Sequence, residues 1–276
     1  MATHSTPSGV VLDLRLPAGS IELTTADSDS TTVALEPIGG DAAREAIEST
    51  REEAVSERDG SVRVIVHVPD RGKLLRLRGE PEILMRVSAP HGARLSASTA
   101  SADVRAEGRL GGVDLKTASG DVSLPDVDGP AKVKTQSGDV SVRAVAGALD
   151  VHTMSGDVSV GDVGGDATVK TMSGDVGLGL AGGSLEASSM SGDIDVAGVG
   201  AGAAELSSMS GDIDVGVVRG TRVFLDVRTL SGEARSDLPV SDQPESATGP
   251  ELTLKASTKS GDVRIRRAPE RTASGV

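Results

Sequence analysis

The sequence predicts an all-β protein: a parallel β-solenoid (β-helix) with 18-residue rungs, preceded by a strand-rich N-terminal cap that contains one helix. Three observations carry that prediction. A tripeptide SG[DE] returns at a nearly fixed interval, apolar and polar columns alternate around it, and the chain is rich in glycine and small branched residues with a single aromatic side chain, Phe224.

The serine of the tripeptide falls at Ser119, Ser137, Ser155, Ser173, Ser191, Ser210, Ser231 and Ser260, so four intervals of 18 residues are followed by 19, 21 and 29. TASADV, around Ser101, is a degenerate copy one period upstream. Four residues before the serine stand Leu115, Val133, Val151, Val169, Ala187, Leu206, Val227 and Ala256. Three residues after it stand Val122, Val140, Val158, Val176, Ile194, Ile213, Ala234 and Val263. Polar columns lie between: Lys116, Lys134, His152 and Lys170 before the turn, and Ser123, Ser141, Ser159, Asp195 and Asp214 after it.

Alternation with a period of two is the mark of a half-buried strand. One strand on each side of SG[DE], closed by a second glycine-rich corner such as VGGDA, fills the repeat, whereas a propeller blade needs about twice that length. So small a unit cannot bury its apolar face alone. Stacked copies give each strand a parallel neighbour about 4.8 Å away and a continuous aliphatic core. A β-sandwich or meander, the alternative, requires no constant period.

Residues 1–95 lack the repeat and read as the cap. VVLDLRL, SIELTTA, TTVALEP, SVRVIVHVP and EILMRVSAP read as strands, and the Ala-, Glu- and Arg-rich stretch from about Asp41 to Glu57 reads as a helix. A solenoid end left bare presents unpaired strand groups, so a cap is physically expected. Residues 96–266 read as the repeats. LPVSDQPESATGPE lengthens the last interval and reads as a surface loop, and 267–276 as a disordered tail.

Composition narrows the function classes. Lys plus Arg total 28 against 41 Asp plus Glu, a net charge of -13, which speaks against nucleic acid as a partner. With no Tyr or Trp, the usual stacking platforms for bases and sugar rings are missing. With no cysteine, disulfides and thiolate chemistry are excluded. The N-terminal stretch lacks a basic region followed by an apolar one, and no long apolar run follows, so the expectation is a chain without a transmembrane segment, cytoplasmic as encoded, with cell-envelope association left open.

The columns xVKTxSGDVxV, preceded by LPAGSIELTT, resemble a bacterial family of β-strand-repeat proteins that goes by the name of putative adhesins, a domain of unknown function with repeated SGDV turns. The resemblance covers Val10 to Arg266. It implies a β-solenoid without an established catalytic activity and a role at the cell envelope. This chain departs from surface-exposed members in showing no recognisable signal peptide or anchor.

The residues that invite chemistry are those of the turn. Gly120, Gly138, Gly156, Gly174, Gly192, Gly211, Gly232 and Gly261 read as structural glycines that turn the corner. Asp121, Asp139, Asp157, Asp175, Asp193 and Asp212, with Glu233 and Asp262, read as an acidic ladder along one edge. A Ca²⁺ ladder is the sharper reading, but one acidic turn per rung lacks the nine-residue pattern of calcium β-rolls, so no metal or other cofactor is expected.

Paired carboxylates recur at every rung, whereas an active site would be a local break in the repeat, so no catalytic residues are expected. His4, His67, His91 and His152 are scattered; His67 reads as packed or half-exposed and His152 as an exposed strand position. Met154, Met172, Met190 and Met209 precede the serine and read as filling the corner, with an adaptable binding surface as the alternative. Thr117, Thr135, Thr153 and Thr171, continued by Ser189 and Ser208, read as an internal hydroxyl row rather than an ice-binding array.

The function expected is a non-enzymatic, adhesin-like binding scaffold that presents regular faces to an unknown macromolecular partner or to itself. The alternatives are a self-assembling filament and an accessory protein in envelope-stress signalling with a partner in the membrane.

Overall fold

The computed structural model describes residues 2–6, 9–38, 40–58, 60–69, 82–238 and 249–269. Of the expected loop at 238–251, residues 239–248 lie outside them, while Glu251 already belongs to a strand. Of the expected tail at 267–276, residues 270–276 lie outside them, while Arg267 ends a strand and Ala268 is buried, so the fold runs past the expected start of the tail. The chain forms two compact units, Met1–Arg143 and Ala144–Val276. Both are built from stacked parallel strands, as the repeat requires, and α1 is the one helix among the described residues.

The first unit contains β1 (Ala2–Ser5), β2 (Val10–Ala26), β3 (Ser30–Pro37), α1 (Asp41–Glu48), β4 (Arg51–Ser56), β5 (Val62–His67), β6 (Ile83–Pro90), β7 (Ala93–Glu107), β8 (Arg109–Lys116), β9 (Val122–Val127) and β10 (Ala131–Lys134), while β11 (Val140–Val145) runs across the boundary. β2 pairs with β7 over nearly its whole length, and its other edge pairs with β5 and then β6, all parallel. The stack therefore reads β5 and β6, then β2, then β7, then β8 and β9.

This corrects the sequence reading of the first 95 residues, since VVLDLRLPAGSIELTTA is itself a rung. Ala18, Gly19 and Ser20 stand in register with Ser101, Ala102 and Asp103. Gly19 holds a φ of 116° and a Cβ there would lie 2.0 Å from the Ile83 carbonyl oxygen, so this position demands glycine for conformation and for space. The cap proper consists of antiparallel additions: β4 on β5, β3 on β6 and β1 on β3.

The expected helix over 41–57 is half as long, ending at Glu48. Two side chains stop it. Ser49 Oγ donates to the Glu45 and Ala46 carbonyls at 2.9 and 3.0 Å, and Thr50 Oγ1 donates to the Ala46 carbonyl at 3.0 Å. Arg51–Ser56 then completes the open edge of β5, a tertiary pairing that overrides the helix propensity of Glu, Arg and Ala. Ala43 and Ala46 are the buried residues of α1, which packs on β3.

The second unit contains β12 (Leu149–His152), β13 (Val158–Val163), β14 (Ala167–Lys170), β15 (Val176–Ala181), β16 (Leu185–Ser191), β17 (Ile194–Val199), β18 (Gly202–Ser210), β19 (Ile213–Val217), β20 (Arg222–Ser231), β21 (Ala234–Ser236), β22 (Glu251–Ser260) and β23 (Val263–Arg267). Strands before the turn stack on strands before the turn, and strands after it on strands after it. Equivalent residues meet one repeat apart: Val151 against Val169, Val169 against Ala187, Val176 against Ile194.

Stacking order departs from chain order at the end of this unit. β18 pairs with β22, and β22 with β20, so the rung formed last is inserted between two earlier ones and β20 is outermost. The same inversion joins β19, β23 and β21. β23 runs to Arg267, and Ala268 is buried with its N–H donated to the Val217 carbonyl at 2.9 Å.

The columns read as apolar in the sequence form the core. Leu115, Val133, Val151, Val169, Ala187, Leu206 and Ala256 are all buried, as are Val122, Val140, Val158, Val176, Ile194, Ile213 and Val263. Ala234 and Val227, in the outermost rung, are not.

Candidate binding face

Each SG[DE] corner is a close stack of backbone. Gly174, with φ 140°, is packed so tightly that a Cβ would fall 2.1 Å from the Gly156 carbonyl oxygen. The other turn glycines, Gly120, Gly138, Gly156, Gly192, Gly211, Gly232 and Gly261, hold φ between 131° and 150°.

The acids of the corner act on the next rung. In the first unit the N–H of Asp121 donates to Asp103 Oδ1 at 2.9 Å, and that of Asp139 to Asp121 Oδ1 at 3.0 Å. In the second unit the N–H groups of Asp175, Asp193 and Asp212 donate to Asp157, Asp175 and Asp193 at 2.9, 2.8 and 2.7 Å. The series continues from Asp262 to Asp212 and from Glu233 to Asp262, both at 2.8 Å, following the inverted stacking order. Each such carboxylate thus occupies one oxygen in joining rungs. The opposite corner uses the same device, the Ser184 N–H donating to Asp166 Oδ1 at 2.8 Å.

The threonine row lies inside, next to the apolar columns, with Thr117, Thr135, Thr153, Thr171, Ser189, Ser208 and Thr258 buried and Thr229, in the outermost rung, half-buried. Thr117, Thr135 and Thr153 each donate to the carbonyl two residues on, at 3.1 Å. Ser189, Ser208, Thr258 and Thr229 instead reach the turn glycine of a neighbouring rung, at 3.4, 3.2, 3.1 and 3.0 Å. Thr171 stands where the pattern changes, and its buried Oγ1 has no partner. The row is not a surface array.

The methionines depart from the expected corner packing. Met154, Met172, Met190 and Met209 are 51, 46, 46 and 42 % exposed, because the buried hydroxyl residue next to each already occupies the inner side of the corner. Four successive rungs of the second unit thus carry an apolar stripe on the outside. Beside it, Lys170 Nζ lies 2.6 Å from Glu186 and His152 Nε2 lies 2.7 Å from Asp150.

Around the turn acids of the later rungs is a shallow concavity of about 410 Å³ with mixed charge, lined by Asp193, Asp195, Asp212, Asp214, Glu233, Asp262, Arg235 and Arg264 among others. Arg266 spans Asp214 at 2.5 Å and Asp195 at 3.4 Å on the same face. Among the described residues, no three acidic, histidine or cysteine side chains are grouped as metal ligands.

The remaining histidines are paired singly: His4 with Glu52 at 2.9 Å, His67 with Asp13 at 3.1 Å and His91 with Thr25 at 3.0 Å. At the cap, a hydrogen bond from Arg51 holds the Glu53 carboxyl below its ordinary range.

Sequence reasoning missed one further surface, the outermost rung. Phe224, Leu225 and Leu230 of β20 are 58, 39 and 85 % exposed. The inverted stacking hides this from the repeat, since the sequence places Ser260 after Ser231.

Comparison with known proteins places the whole repeat region in one family. The family pattern described as Toastrack DUF4097 matches residues 11–266. No curated protein matches the chain. Among solved structures, a "putative cell adhesion protein" from Clostridium sporogenes is 9 % identical, with 96 % of this chain and 98 % of that chain covered and a TM-score of 0.25. A "putative adhesin" from Bacteroides fragilis is 16 % identical, covering 96 % and 95 %, with a TM-score of 0.41. Neither likeness is close enough to carry a functional argument. No helix among the described residues is long and apolar enough to cross a membrane.

Proposed function

The chain belongs to the Toastrack DUF4097 family, and we propose that it is a non-enzymatic, adhesin-like scaffold that binds a macromolecular partner through the outer rows of its rungs. The observation that supports this most directly is the stripe of Met154, Met172, Met190 and Met209, half-exposed on consecutive rungs. Unbranched thioether side chains adapt to irregular apolar surfaces, and a regular row of them flanked by charged groups suits an amphipathic segment of another protein. The turn carboxylates are engaged in joining rungs, which supports a structural rather than catalytic part for them.

The test is selection of peptides from a random library on the immobilised chain, followed by calorimetry with the native protein and a M172E/M190E variant. The expected result is a loss of at least about tenfold in affinity with an unchanged melting temperature. Unchanged affinity would remove the methionine row from the reading. Failure to select any ligand would count against a binding scaffold altogether.

Self-assembly is the second reading, favoured by the bare edge of β20. A filament needs two unlike surfaces that fit each other. In the first unit the outer strands are the antiparallel β1 and β4, which do not repeat the parallel order offered by β20. Association through one edge alone gives a closed pair.

A further inference from the structure

We propose that β20 is a dimerisation edge that receives β20 of a second copy of this chain, antiparallel, about a two-fold axis through Val227. The inference is independent of the methionine row and rests on three properties of the strand.

The first is the phase of its backbone. Arg222 is in register with Glu251 and donates its N–H to the Pro250 carbonyl at 2.9 Å, so the even-numbered residues from Arg222 to Arg228 turn their peptide groups toward β22, a phase that ends at Ser231, whose carbonyl accepts the Gly261 N–H at 3.0 Å. Val223, Leu225, Val227 and Thr229 therefore direct theirs to the opposite edge, which no described strand occupies. Centring the axis on Val227 sets these residues face to face, Val227 against itself and Leu225 against Thr229 twice. Three such pairs exchange about six hydrogen bonds.

The second is the outer face. Phe224, Asp226, Arg228 and Leu230 lie on it, and Phe224 is the only aromatic residue of the chain. In the Val227-centred register Phe224 stands opposite Leu230 and Asp226 opposite Arg228, each twice, with both members of a pair on the same face. Neighbouring registers fail. Centring on Asp226 opposes the two Asp226 carboxylates, centring on Arg228 opposes the two guanidinium groups, and centring on Leu225 opposes Arg222 to Arg228. Within one copy Arg228 already grips Asp226 with two bonds of 3.0 Å, and across the axis the four groups alternate in sign.

The third is the inner face. Leu225 is 39 % exposed, whereas Leu254, in register with it one rung inward, is fully buried. A second copy would cover the end of the core as each rung covers the one before. An isologous edge of this kind closes on itself and stops at two.

The experiment is sedimentation of the full chain over about a hundredfold range of concentration, with D226R, R228D and an equal mixture of the two. The native chain is expected to pass from monomer to dimer. Each single variant opposes like charges across the axis and weakens the dimer by at least about tenfold. The mixture restores it, because the two introduced residues face each other and the two retained ones do likewise. Thermal unfolding of each variant, on an exposed edge strand, checks that the fold is kept. A native chain that stays monomeric, assemblies that grow beyond two, a dimer indifferent to either variant, or a mixture that fails to recover would each overturn the proposal.

Discussion

Replacing Asp175 tests whether the turn acid is a staple between rungs. Its Oδ1 accepts the Asp193 N–H at 2.8 Å, while its own N–H donates to Asp157 at 2.9 Å. Its carboxylate therefore has a like charge one rung away on either side. At a rung spacing of about 4.8 Å each neighbour costs about 0.9 kcal/mol in water, and about 0.5 kcal/mol once physiological salt screens it. D175N removes about 1 kcal/mol of repulsion and keeps an amide oxygen as acceptor. It gives up the extra strength of a charge-assisted bond, again about 1 kcal/mol.

The two effects cancel at about 0.15 M salt, so D175N should melt within about 0.5 kcal/mol of the native chain. At about 0.01 M salt, where repulsion is less screened, it should gain about 0.5 kcal/mol relative to native. D175A relieves the same repulsion but leaves the Asp193 N–H without its acceptor, for a net loss of about 1 kcal/mol. Urea denaturation at both salt concentrations measures all three. If D175N falls as far as D175A, or if both are indifferent to salt, the carboxylate is not acting as a rung staple with like-charged neighbours.

Three further outcomes are expected. G174A places a methyl group 2.1 Å from the Gly156 carbonyl oxygen at a φ of 140°, and should cost more than about 3 kcal/mol or prevent folding, read by urea denaturation. T171V removes a buried hydroxyl without a partner and should stabilise by about 1 kcal/mol, whereas T153V breaks the bond to the Ser155 carbonyl and should destabilise by about the same amount, so paired thermal melts give opposite signs. Glu53 should titrate below ordinary glutamates in an NMR pH series, and R51A should return it to their range. A carboxyl lowered on folding contributes stability that is present at neutral pH and lost as pH falls through the lowered value.

The sequence carried the rung almost completely, because period and alternation are local properties of the residues. The columns at Val151 and Val169 must face the same way if they recur in phase, and they do. What a period cannot convey is which copy lies next to which. Ser231 and Ser260 are equally in phase with Ser210, yet the chain places Ser260 beside it and Ser231 beyond. AGSI at residues 18–21 is in phase with SADV at 101–104, but the intervening cap breaks the count and the turn acid is replaced by serine.

The helix was overrun for a different reason. Propensity along GDAAREAIESTREEAVS is continuous, and only the distant β5 explains why its second half is extended. The methionines show the reverse case. Their type suggested burial, while their position, one step outward of a buried hydroxyl, decided the matter.

The inverted end also bears on how the chain is made. During synthesis, residues 222–236 emerge before the strands that will separate them from the rest of the second unit. Until β22 and β23 follow, the in-phase columns of β20 and β18 are the nearest matching surfaces, and a rung docked there would have to be released for the native order to form. Deleting residues 251–267 would not shorten the stack by one coil. It would remove the layer between two others and leave the outer one to settle, one place inward, on a neighbour it does not touch in the finished protein.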